Sequence, residues 1–407
     1  MAQETKQLNI WWINQFALPS SQPGGGRHAQ IARTLAKRGC ATTIVASSTN
    51  YMTGREMEPV DTCEESSEFD FVQIPVGWRG PGGIGKLLRM RAFGKKLSSG
   101  KWIGERSRPD VIIGSSPSLH AALSASELAA KFDVPFILEV RDIWPLSLVE
   151  VAGVSQNHPV VKHLYRLEEK IVSRASQIMS LLPNAHEYFS KYGVLQEKID
   201  WIPNGVDLDL FSMPKKDTNA KETVVMYLGS MGSPNGMLTI LKAAKILQGK
   251  NANIQFRLIG DGAKKIELEQ FVKDNNISSV VFEPSIPHKN VCKTIGQADI
   301  LVANVPNRDL YKYGISLNKL YEYLASEKPI ALACSVVDNP VTLAGADTVV
   351  PADDASALAE KIIQLSLMSE ESRNTIGKMG REYVKLNNTF ESIADRVISC
   401  IQKAKPK

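Results

Sequence analysis

The first residues that could do chemistry are three consecutive glycines, Gly24 to Gly26, placed just before a segment with helical periodicity, "RHAQIARTLAKRG". Glycines before a helix N-terminus let backbone N–H groups approach a phosphate, which the helix dipole also favours. Gly24, Gly26 and Ala29 also fit the G-x-G-x-x-A spacing of dinucleotide-binding folds. However, the loop before them is long, and no acidic residue ends the second predicted strand, "TTIVASSTN". The run is therefore either a glycine turn that lets the helix pack or a loop that closes on the diphosphate of a substrate.

A second group of polar residues lies in "YKYGISLNKLYEYLASEKPIAL", residues 311–332. Ser316, Asn318 and Lys319 stand at the start of a predicted helix, where backbone N–H groups and the dipole favour an anion. Glu322 follows one to two turns later and could accept hydrogen bonds from the hydroxyls of a ribose. The alternative for Glu322 is a surface carboxylate paired with a neighbouring lysine. A diphosphate beside a ribose describes a sugar nucleotide.

A third group lies in "LEVRDIWPLSLV", which places Glu139, Arg141 and Asp142 at the carboxyl end of a predicted strand. One interpretation is a structural ion pair between Arg141 and Asp142. We favour a catalytic role, in which Asp142 or Glu139 contacts an acceptor or donor hydroxyl and Arg141 contacts a phosphate.

Predicted strands alternate with predicted helices along the chain, and the pattern restarts after a polar stretch, "SMPKKDTNAKE". This alternation predicts an α/β protein with two Rossmann-like lobes, each built on a doubly wound parallel sheet. We predict an N-terminal acceptor-binding lobe over residues 1–210 and a C-terminal nucleotide-sugar-binding lobe over residues 211–386. A last helix within residues 387–407 is expected to return to the N-terminal lobe. The active site is expected in the cleft between the lobes, at the carboxyl ends of the strands.

Composition excludes several classes of protein. Hydrophobic residues make up 43% and charged residues 22% of the chain, as in ordinary soluble proteins. No apolar run approaches the ~18 residues of a membrane span, and the N-terminus predicts no signal peptide. The five cysteines are scattered and lack CxxC spacing, and the histidines form no HxxxH pair. We therefore expect a reducing, cytoplasmic compartment and no metal site.

A basic segment runs from Trp78 to Arg108, where Glu105 is the only acidic residue. Its nine cations are Arg79, Lys86, Arg89, Arg91, Lys95, Lys96, Lys101, Arg106 and Arg108. Apolar residues, among them Leu88, Phe93 and Trp102, are interleaved with the charges. The pattern fits either an anionic membrane surface, with Phe93 or Trp102 as apolar anchor, or a solvated helix face. Nucleic acid is disfavoured, because no other segment looks like a nucleic-acid-binding module.

Together these motifs resemble the retaining glycosyltransferases of family 4, which have the two-lobed GT-B fold. The closest likeness is to the WbuB-like subgroup of surface-polysaccharide enzymes. The residues that carry the resemblance are Gly24–Gly26, "LEVRDIWPLSLV", "PNGVD" (residues 203–207), "YLGSMG" (227–232), "GDGAKK" (260–265), "FEPSIPHKNV" (282–291) and "YGISLNKLYEYLASEKP".

The resemblance implies a metal-independent transfer, with retention of configuration, of a sugar from a UDP-sugar to a lipid-linked saccharide. The sugar is expected to be an N-acetylated amino sugar, and the acceptor a polyprenyl-diphosphate-linked saccharide. The enzyme would act at the cytoplasmic face of the membrane in lipopolysaccharide, O-antigen or capsule assembly. No cofactor is implied, because the nucleotide sugar is a substrate.

The resemblance also implies roles for single residues. Glu322 matches the second glutamate of the family's E-x7-E motif, which holds the ribose. The backbone around Ser285 and Ile286 would meet the base. Gly25, Gly26 and Gly229 would approach the donor, and Asn204 of "PNGVD" is a further candidate, either for the acceptor or without a defined partner.

The sequence also departs from the family pattern. Gly314 stands where the first glutamate of E-x7-E belongs, and Ser230 and Asn235 stand near an expected arginine and lysine. The charge of the phosphates would then be neutralised by Lys319, with Lys264 or Lys265 as the next candidates. A histidine expected after the fourth strand is replaced by serines, and His120, a few residues later, is either an ordinary helix residue or a site residue. Two alternatives remain open: a nucleotide-sugar 2-epimerase on the same fold, and a non-catalytic module that binds sugar nucleotides or membranes.

Overall fold

The computed structural model describes residues 7–19, 26–50, 56–59, 61–62, 68–77, 79, 82–211, 222–250 and 252–405. They form two compact units: unit 1, Met1–Pro203 with Phe390–Lys407, and unit 2, Asn204–Thr389. The division therefore falls after Pro203 and Thr389, a few residues from the predicted boundaries at 210 and 386. Residues 212–221 of the predicted linker lie outside the described residues.

Unit 1 contains an eight-stranded sheet whose strands lie in the order β3-β4-β2-β1-β5-β6-β7-β8. Neighbouring strands are parallel, except that the short edge strand β3 is antiparallel to β4. The strands are β1 (Leu8–Ile13), β2 (Cys40–Ser47), β3 (Asp61–Thr62), β4 (Asp70–Ile74), β5 (Val111–Ser115), β6 (Phe136–Val140), β7 (Gln177–Ser180) and β8 (Ile199–Trp201).

Unit 2 contains a six-stranded, fully parallel sheet in the order β11-β10-β9-β12-β13-β14. This is the doubly wound order of dinucleotide-binding folds, in which the winding direction reverses next to the first strand. The strands are β9 (Thr223–Leu228), β10 (Ile254–Ile259), β11 (Val280–Glu283), β12 (Ile300–Asn304), β13 (Ile330–Ala333) and β14 (Val349–Val350). The predicted fold class, two Rossmann-like α/β units with parallel sheets, is confirmed.

The helices lie in the connections between successive strands, except that the last three follow β14. They are α1 (Arg27–Ala36), α2 (Gly82–Ser98), α3 (Leu119–Phe132), α4 (Leu146–Glu150), α5 (Pro159–Arg174), α6 (Ala185–Phe189), α7 (Met237–Gly249), α8 (Lys265–Asp274), α9 (Val291–Ile295), α10 (Asn318–Ala325), α11 (Pro340–Leu343), α12 (Ala355–Leu367), α13 (Glu370–Asn387) and α14 (Phe390–Ala404).

The first strand shows why unit 1 folds as a sheet covered on both faces. Trp11 and Trp12 are adjacent in β1 and point to opposite faces, yet both are fully buried. Trp11 packs edge-on against Trp102, with ring centroids 4.9 Å apart, and Trp12 packs against His28 of α1. A continuous apolar strand such as "LNIWWI" is therefore stable here, because helices cover it on each side.

The last helix of the chain completes the core of unit 1. Ile393, Val397 and Ile401 of α14 are buried in the cluster that contains Ile10 of β1 and Leu35 of α1. An ion pair of 2.7 Å between Arg38 and Asp395 joins the end of α1 to the same helix. The apolar stripe of α14 thus packs on the first unit of the chain although it follows the second in sequence.

Candidate functional site

In unit 2, the winding of the sheet reverses at β9, which pairs with β10 on one side and β12 on the other. Ligands of doubly wound sheets bind at the carboxyl ends of the strands at such a point. Gly229 follows β9 directly, with φ +152°, and a Cβ built on it would lie 3.1 Å from Nζ of Lys319. A Cβ on Gly260, which follows β10, would lie 1.9 Å from the Gly229 carbonyl oxygen. Glycine is therefore needed at position 260, because the backbones of the two loops touch there.

Lys319, in the first turn of α10, extends its side chain to this glycine. Its ammonium donates hydrogen bonds of 2.6 Å to Oη of Tyr227 and to Oδ1 of Asn235, and lies 4.3 Å from the centre of the Tyr227 ring. Burial lowers the pKa of Lys319 to about 7, although Glu322 attracts the charge. The cation is thus held by two neutral partners at the edge where an anionic ligand would bind.

Glu322 lies one turn after Lys319 on α10, and its side chain is 21% exposed. Its Oε1 lies 3.1 Å from Nε2 of His288, an exposed residue just after Ser285 and Ile286. The hydrogen bond to Glu322 raises the pKa of His288, with a smaller contribution from the charge of Asp207. The structure therefore places the predicted ribose ligand in contact with His288, two residues after the predicted base-binding segment. Ser285 is exposed, and Ile286 packs partly against the core of unit 2.

Asn204 was a candidate for the acceptor, and its position does not support that role. Its side chain is 4% exposed and donates hydrogen bonds to Oγ of Ser316, at 2.8 Å, and to the Ser316 carbonyl oxygen, at 3.3 Å. Asn388 in turn donates to the backbone carbonyl of Asn204. Asn204 therefore holds Ser316 in the turn before α10, two residues ahead of the exposed Asn318.

The remaining positively charged candidates of unit 2 are engaged elsewhere. Lys264 forms a 2.6 Å ion pair with Glu267, and Lys265 donates to the carbonyl oxygen of Gly260 at 3.0 Å. Gly314 adopts φ +111° at the end of the 3₁₀ turn before α10, a conformation that disfavours a glutamate side chain. Lys319 is thus the lysine of this set that lies beside Gly229.

In unit 1, the winding reverses at β1, which pairs with β2 and β5. Glu139 of β6 is fully buried near this point. Its carboxylate accepts hydrogen bonds from Ser115 Oγ (2.5 Å), Trp12 Nε1 (3.2 Å) and Arg27 Nε (3.3 Å), and lies 3.0 Å from Nε2 of His28. A carboxylate with no exposed surface and four partners does not touch a substrate. The predicted contact of Glu139 with a substrate hydroxyl is therefore wrong.

The ionisation states of this cluster follow from its geometry. Burial opposes the charge of Glu139, but the attraction and hydrogen bond of His28 and the positive charges of Arg27 and Arg141 lower its pKa, so the carboxylate is ionised. Burial outweighs the attraction of Glu139 in His28 and lowers the pKa of the imidazole. Arg27 is therefore the ion-pair partner of Glu139, and Nε2 of His28 lies within hydrogen-bonding distance of the same carboxylate.

Arg141 and Asp142 follow β6 and are each half-buried. Nε of Arg141 is buried and has no hydrogen-bond partner among the residues that the structure describes. Asp142 accepts a 2.5 Å hydrogen bond from Oγ of Ser147, and burial raises its pKa, against the attraction of Lys86 and Arg141. Lys86 of α2 therefore belongs to the surroundings of Asp142, although nothing in the sequence separates it from the other basic residues of its segment.

Two further candidates of unit 1 are placed by the structure. Gly26 is the exposed residue before α1, and a Cβ built on it meets nothing within 4 Å, whereas Gly25 lies outside the described residues. His120 lies in the first turn of α3, with its ring centre 6.2 Å from that of His163. Burial, together with His163 and Arg91, lowers the pKa of His120 to about 4, so its imidazole is neutral at pH 7.

The basic segment forms α2, and its apolar residues divide into two sets. Phe93 is fully buried, and Trp102, which follows the helix, is 8% exposed. The prediction that either anchors the protein in a membrane is therefore wrong, because both belong to the core. Ile84, by contrast, is 79% exposed and Leu88 is 47% exposed.

Over the described ranges, no group of three or more His, Cys, Asp or Glu residues has the geometry to hold a metal ion. Likewise, none of the helices described above combines the length and apolarity needed to cross a bilayer.

The chain matches two protein-family models, one in each half. Residues 24–205 match the model of the glycosyl transferase 4-like domain, and residues 222–367 match the model of the glycosyl transferases group 1. The first match falls on unit 1 except for its last two residues, and the second lies within unit 2. The chain belongs to the GT-B glycosyltransferases.

Individual relatives of this GT-B chain are distant. D-inositol 3-phosphate glycosyltransferase of Paenarthrobacter aurescens is 26% identical over 40% of this chain and 46% of its own length. The putative colanic acid biosynthesis glycosyltransferase WcaL of Escherichia coli is 24% identical over 52% of this chain and 53% of its own length. The chain thus spans about half the length of the curated relatives it matches.

Solved structures agree with the GT-B fold over the whole chain. Sucrose-phosphate synthase from Thermosynechococcus elongatus has a TM-score of 0.76 at 19% identity, covering 97% of this chain and 98% of that one. The Anabaena protein Alr3699/HepE, solved in complex with UDP-glucose, has a TM-score of 0.65 at 14% identity, covering 97% and 100%. At these identities the likeness shows the fold alone.

Several residues of the two sites in this GT-B chain were not identified by sequence reasoning. Arg27 and His28 were visible after the glycine run, but nothing in their spacing connected them with Glu139. His288 lies within the quoted motif "FEPSIPHKNV". Tyr227, also inside a quoted motif, had no feature that indicated contact with Lys319, because 92 residues separate them.

Proposed function

We propose that this chain transfers a sugar from a UDP-sugar to a lipid-linked saccharide during cell-surface polysaccharide assembly. The observation that carries the proposal is the Lys319 ammonium beside Gly229, held by neutral groups and one turn from Glu322. A cation beside a glycine backbone suits a diphosphate, and a carboxylate one turn away suits the ribose diol. Such spacing matches a nucleoside-diphosphate sugar better than a single phosphate.

We assign the donor to unit 2 on this basis. Glu322 accepts hydrogen bonds from the two ribose hydroxyls, and these replace its hydrogen bond with His288. The backbone of Ser285 and Ile286 contacts the base, while Ser316, Asn318, Lys319 and Gly229 contact the diphosphate. Gly25 and Gly26 are assigned to the same diphosphate. The donor class is supported by a solved structure of this fold in complex with UDP-glucose. The setting is supported by a relative that is named for colanic acid biosynthesis.

For the chemistry, we propose a family 4, WbuB-like transfer with retention of configuration and without a metal ion. The transition state places positive charge on the sugar and negative charge on the leaving diphosphate. Lys319 and the first backbone N–H groups of α10 stabilise the leaving group electrostatically. The leaving phosphate takes the acceptor proton. Asp142 orients the acceptor hydroxyl, and Arg141 contacts a phosphate of the acceptor.

The acceptor class suggests where the enzyme works. A polyprenyl-diphosphate-linked saccharide, in O-antigen, capsule or related assembly, is anchored in a bilayer, so the protein has to reach the headgroups. Ile84, Leu88, Arg91 and Lys95 recur along α2 at helical spacing and are all exposed. We call these four residues the exposed stripe of α2. Apolar and basic side chains on one face suit reversible docking on the anionic cytoplasmic leaflet.

The test is a thermal-shift screen of nucleotide sugars, followed by product analysis with a polyprenyl-diphosphate-linked acceptor in the presence and absence of EDTA. We expect stabilisation by UDP-sugars, slow release of UDP without acceptor and glycosylated lipid with it, and no effect of EDTA. Conversion of the sugar while it stays attached to the nucleotide would instead indicate an epimerase. Binding without any reaction would indicate a module without catalysis.

A further inference from the structure

The fully buried Glu139 network ends at the first two residues of α1. Arg27 and His28 are 8% and 6% exposed, and both contact the Glu139 carboxylate. The residue before them is Gly26, whose backbone carbonyl begins the hydrogen bonding of α1 by accepting from Gln30 N at 3.0 Å. The network thus reaches the helix immediately after the glycine run.

Arg27 connects the same helix end to a second segment of unit 1. Its Nη1 donates to the Pro203 carbonyl oxygen at 2.6 Å, and its Nη2 donates to the Ile202 carbonyl oxygen at 3.1 Å. These residues follow β8 and are the last of unit 1 before the chain enters unit 2. One guanidinium therefore ties together the start of α1, the end of β6 and the segment after β8.

We propose that Glu139 and Arg27 are positioning residues, which hold the first turn of α1 and hence Gly26 in the place that donor binding requires. The inference rests on the proposed function, which assigns Gly26 to the donor diphosphate. Neither side chain touches the substrate. Gly26 has little conformational preference of its own, so its position has to come from the hydrogen bonds of the residues that follow it.

A purely structural role is the competing explanation, since a buried ion pair that loses one partner also destabilises a fold. Glu168 provides a matched control. It is also a buried glutamate of unit 1, 3% exposed, and its Oε2 accepts hydrogen bonds from Tyr188 Oη (2.7 Å) and Tyr192 Oη (2.6 Å). It contacts no part of α1 among the bonds described. Glu139→Gln and Glu168→Gln each replace one buried glutamate by its neutral isostere, but only the first removes the ionic partner of Arg27.

The first measurement compares turnover with nucleotide binding. For Glu139→Gln and Arg27→Lys we expect kcat to fall about 10–100-fold, the effect of misplacing a contact by about 1 Å. The dissociation constant for UDP should change by less than about twofold, because unit 2 holds the nucleotide and only a transition-state contact is lost. Glu168→Gln should leave kcat unchanged. Wild-type kcat in Glu139→Gln, or an equal loss in Glu168→Gln, would overturn the proposal.

A double variant tests whether the two residues act together. If Arg27 acts through Glu139, the loss of kcat in Arg27→Lys/Glu139→Gln should be no larger than the larger single loss. If the two single losses of kcat multiply in the double variant, the residues act separately, and the positioning role is overturned.

A readout without catalysis separates this inference from the proposed function. Amide hydrogen exchange at Gln30 and Ile31, in the first turn of α1, should accelerate in Glu139→Gln and stay unchanged in Glu168→Gln. If wild-type protein binds no UDP-sugar, the proposed function fails while the exchange result still stands. If exchange in α1 is unchanged although kcat is lost, the positioning role is refuted and the proposed function survives.

Discussion

The Lys319 ammonium lies 2.6 Å from Oδ1 of Asn235, a buried residue in the turn before α7. In this chain the ammonium beside Gly229 comes from α10. Because both hydrogen-bonding partners are neutral, neither of them fixes Lys319 in its charged form. Its protonation should therefore depend on whether an anion is bound.

We first predict that donor binding weakens as pH rises through neutrality. Burial lowers the pKa of Lys319 to about 7 in the free protein, and only the charged form attracts a diphosphate. Between pH 6 and pH 8 the charged fraction falls about tenfold, so the affinity for UDP-glucose should fall by up to about tenfold. UDP-glucose is the probe because both its phosphates stay ionised over this range.

The measurement is calorimetric titration at several pH values in two buffers of different ionisation enthalpy. Wild-type protein should take up close to one proton per UDP-glucose bound at pH 8. Lys319→Met should bind more weakly and lose the pH dependence. Proton uptake that persists in Lys319→Met would assign the effect to another group.

Replacing Glu322 should weaken UDP binding while leaving stability nearly unchanged. Hydrogen bonds to a charged group are worth about 1.5–3 kcal/mol each, and Glu322→Ala removes two that the ribose would make. Glu267→Ala is a matched control, because Glu267 is an exposed helix carboxylate of unit 2 that pairs with Lys264. Calorimetry and thermal unfolding check both variants. If Glu322→Ala binds UDP like wild type, the ribose assignment is wrong.

A side chain at Gly26 should affect turnover without affecting the fold. A Cβ at this residue meets nothing within 4 Å, and φ is −90°, so valine is accommodated in the free protein. Gly26→Val should therefore melt close to the wild-type temperature but lose most of its kcat, because the backbone no longer approaches the diphosphate. Binding of UDP should change far less. Full activity in Gly26→Val would show that the glycine run is a purely structural turn.

The exposed stripe of α2 should mediate binding to anionic vesicles. A Lys or Arg near an anionic surface contributes about 1 kcal/mol, fading beyond a Debye length of ~8–10 Å. Arg91→Glu/Lys95→Glu should abolish co-sedimentation with anionic liposomes at low salt, and Ile84→Ser/Leu88→Ser should reduce the part that resists salt. Lys162→Glu/Lys170→Glu on α5 changes the net charge equally and should have no effect. Equal binding to neutral and anionic vesicles would refute docking by this stripe.

The buried Glu168 should make the stability of unit 1 depend on pH. Burial raises its pKa to about 7, despite the hydrogen bonds from Tyr192 and Tyr188 and the charge of Lys191. The folded state therefore holds this proton more tightly than the unfolded state, and the contribution to stability is present at low pH and is lost as pH rises from about 4.5 to 7. Glu168→Gln mimics the protonated form. Its free energy of unfolding, relative to that of wild type, should rise by about 1–3 kcal/mol between pH 5 and pH 8.

Urea unfolding at the two pH values measures this difference. The groups facing Glu168 include Lys191, whose ammonium lies 3.5 Å from the Tyr188 ring centre and also contacts the rings of Tyr165 and Tyr192. Lys191→Met in the same background shows whether that charge contributes. A pH-independent difference between wild type and Glu168→Gln would contradict the raised pKa.

The sequence predicted more of the fold than of the candidate site. Strand and helix periodicity predicted both parallel sheets, because strands covered on two faces are continuously apolar and crossover helices are amphipathic. The helix after the glycine run begins at Arg27 as predicted, and the helix that carries Glu322 begins at Asn318, close to the predicted start near Ser316 or Leu317. These features depend on neighbours within a few residues, which a sequence displays directly.

The sequence by itself thus determined the two-unit α/β architecture, the motifs of the glycosyltransferase fold and the segments that meet at the strand ends. Only the tertiary structure decided which side chains in those segments are free. Glu139 is enclosed by residues 24 to 127 positions away, Asn204 is bonded to a serine 112 positions away, and Phe93 faces the core although it lies among basic residues. Exposure and pKa depend on which distant elements pack together, and local periodicity carries no information about that.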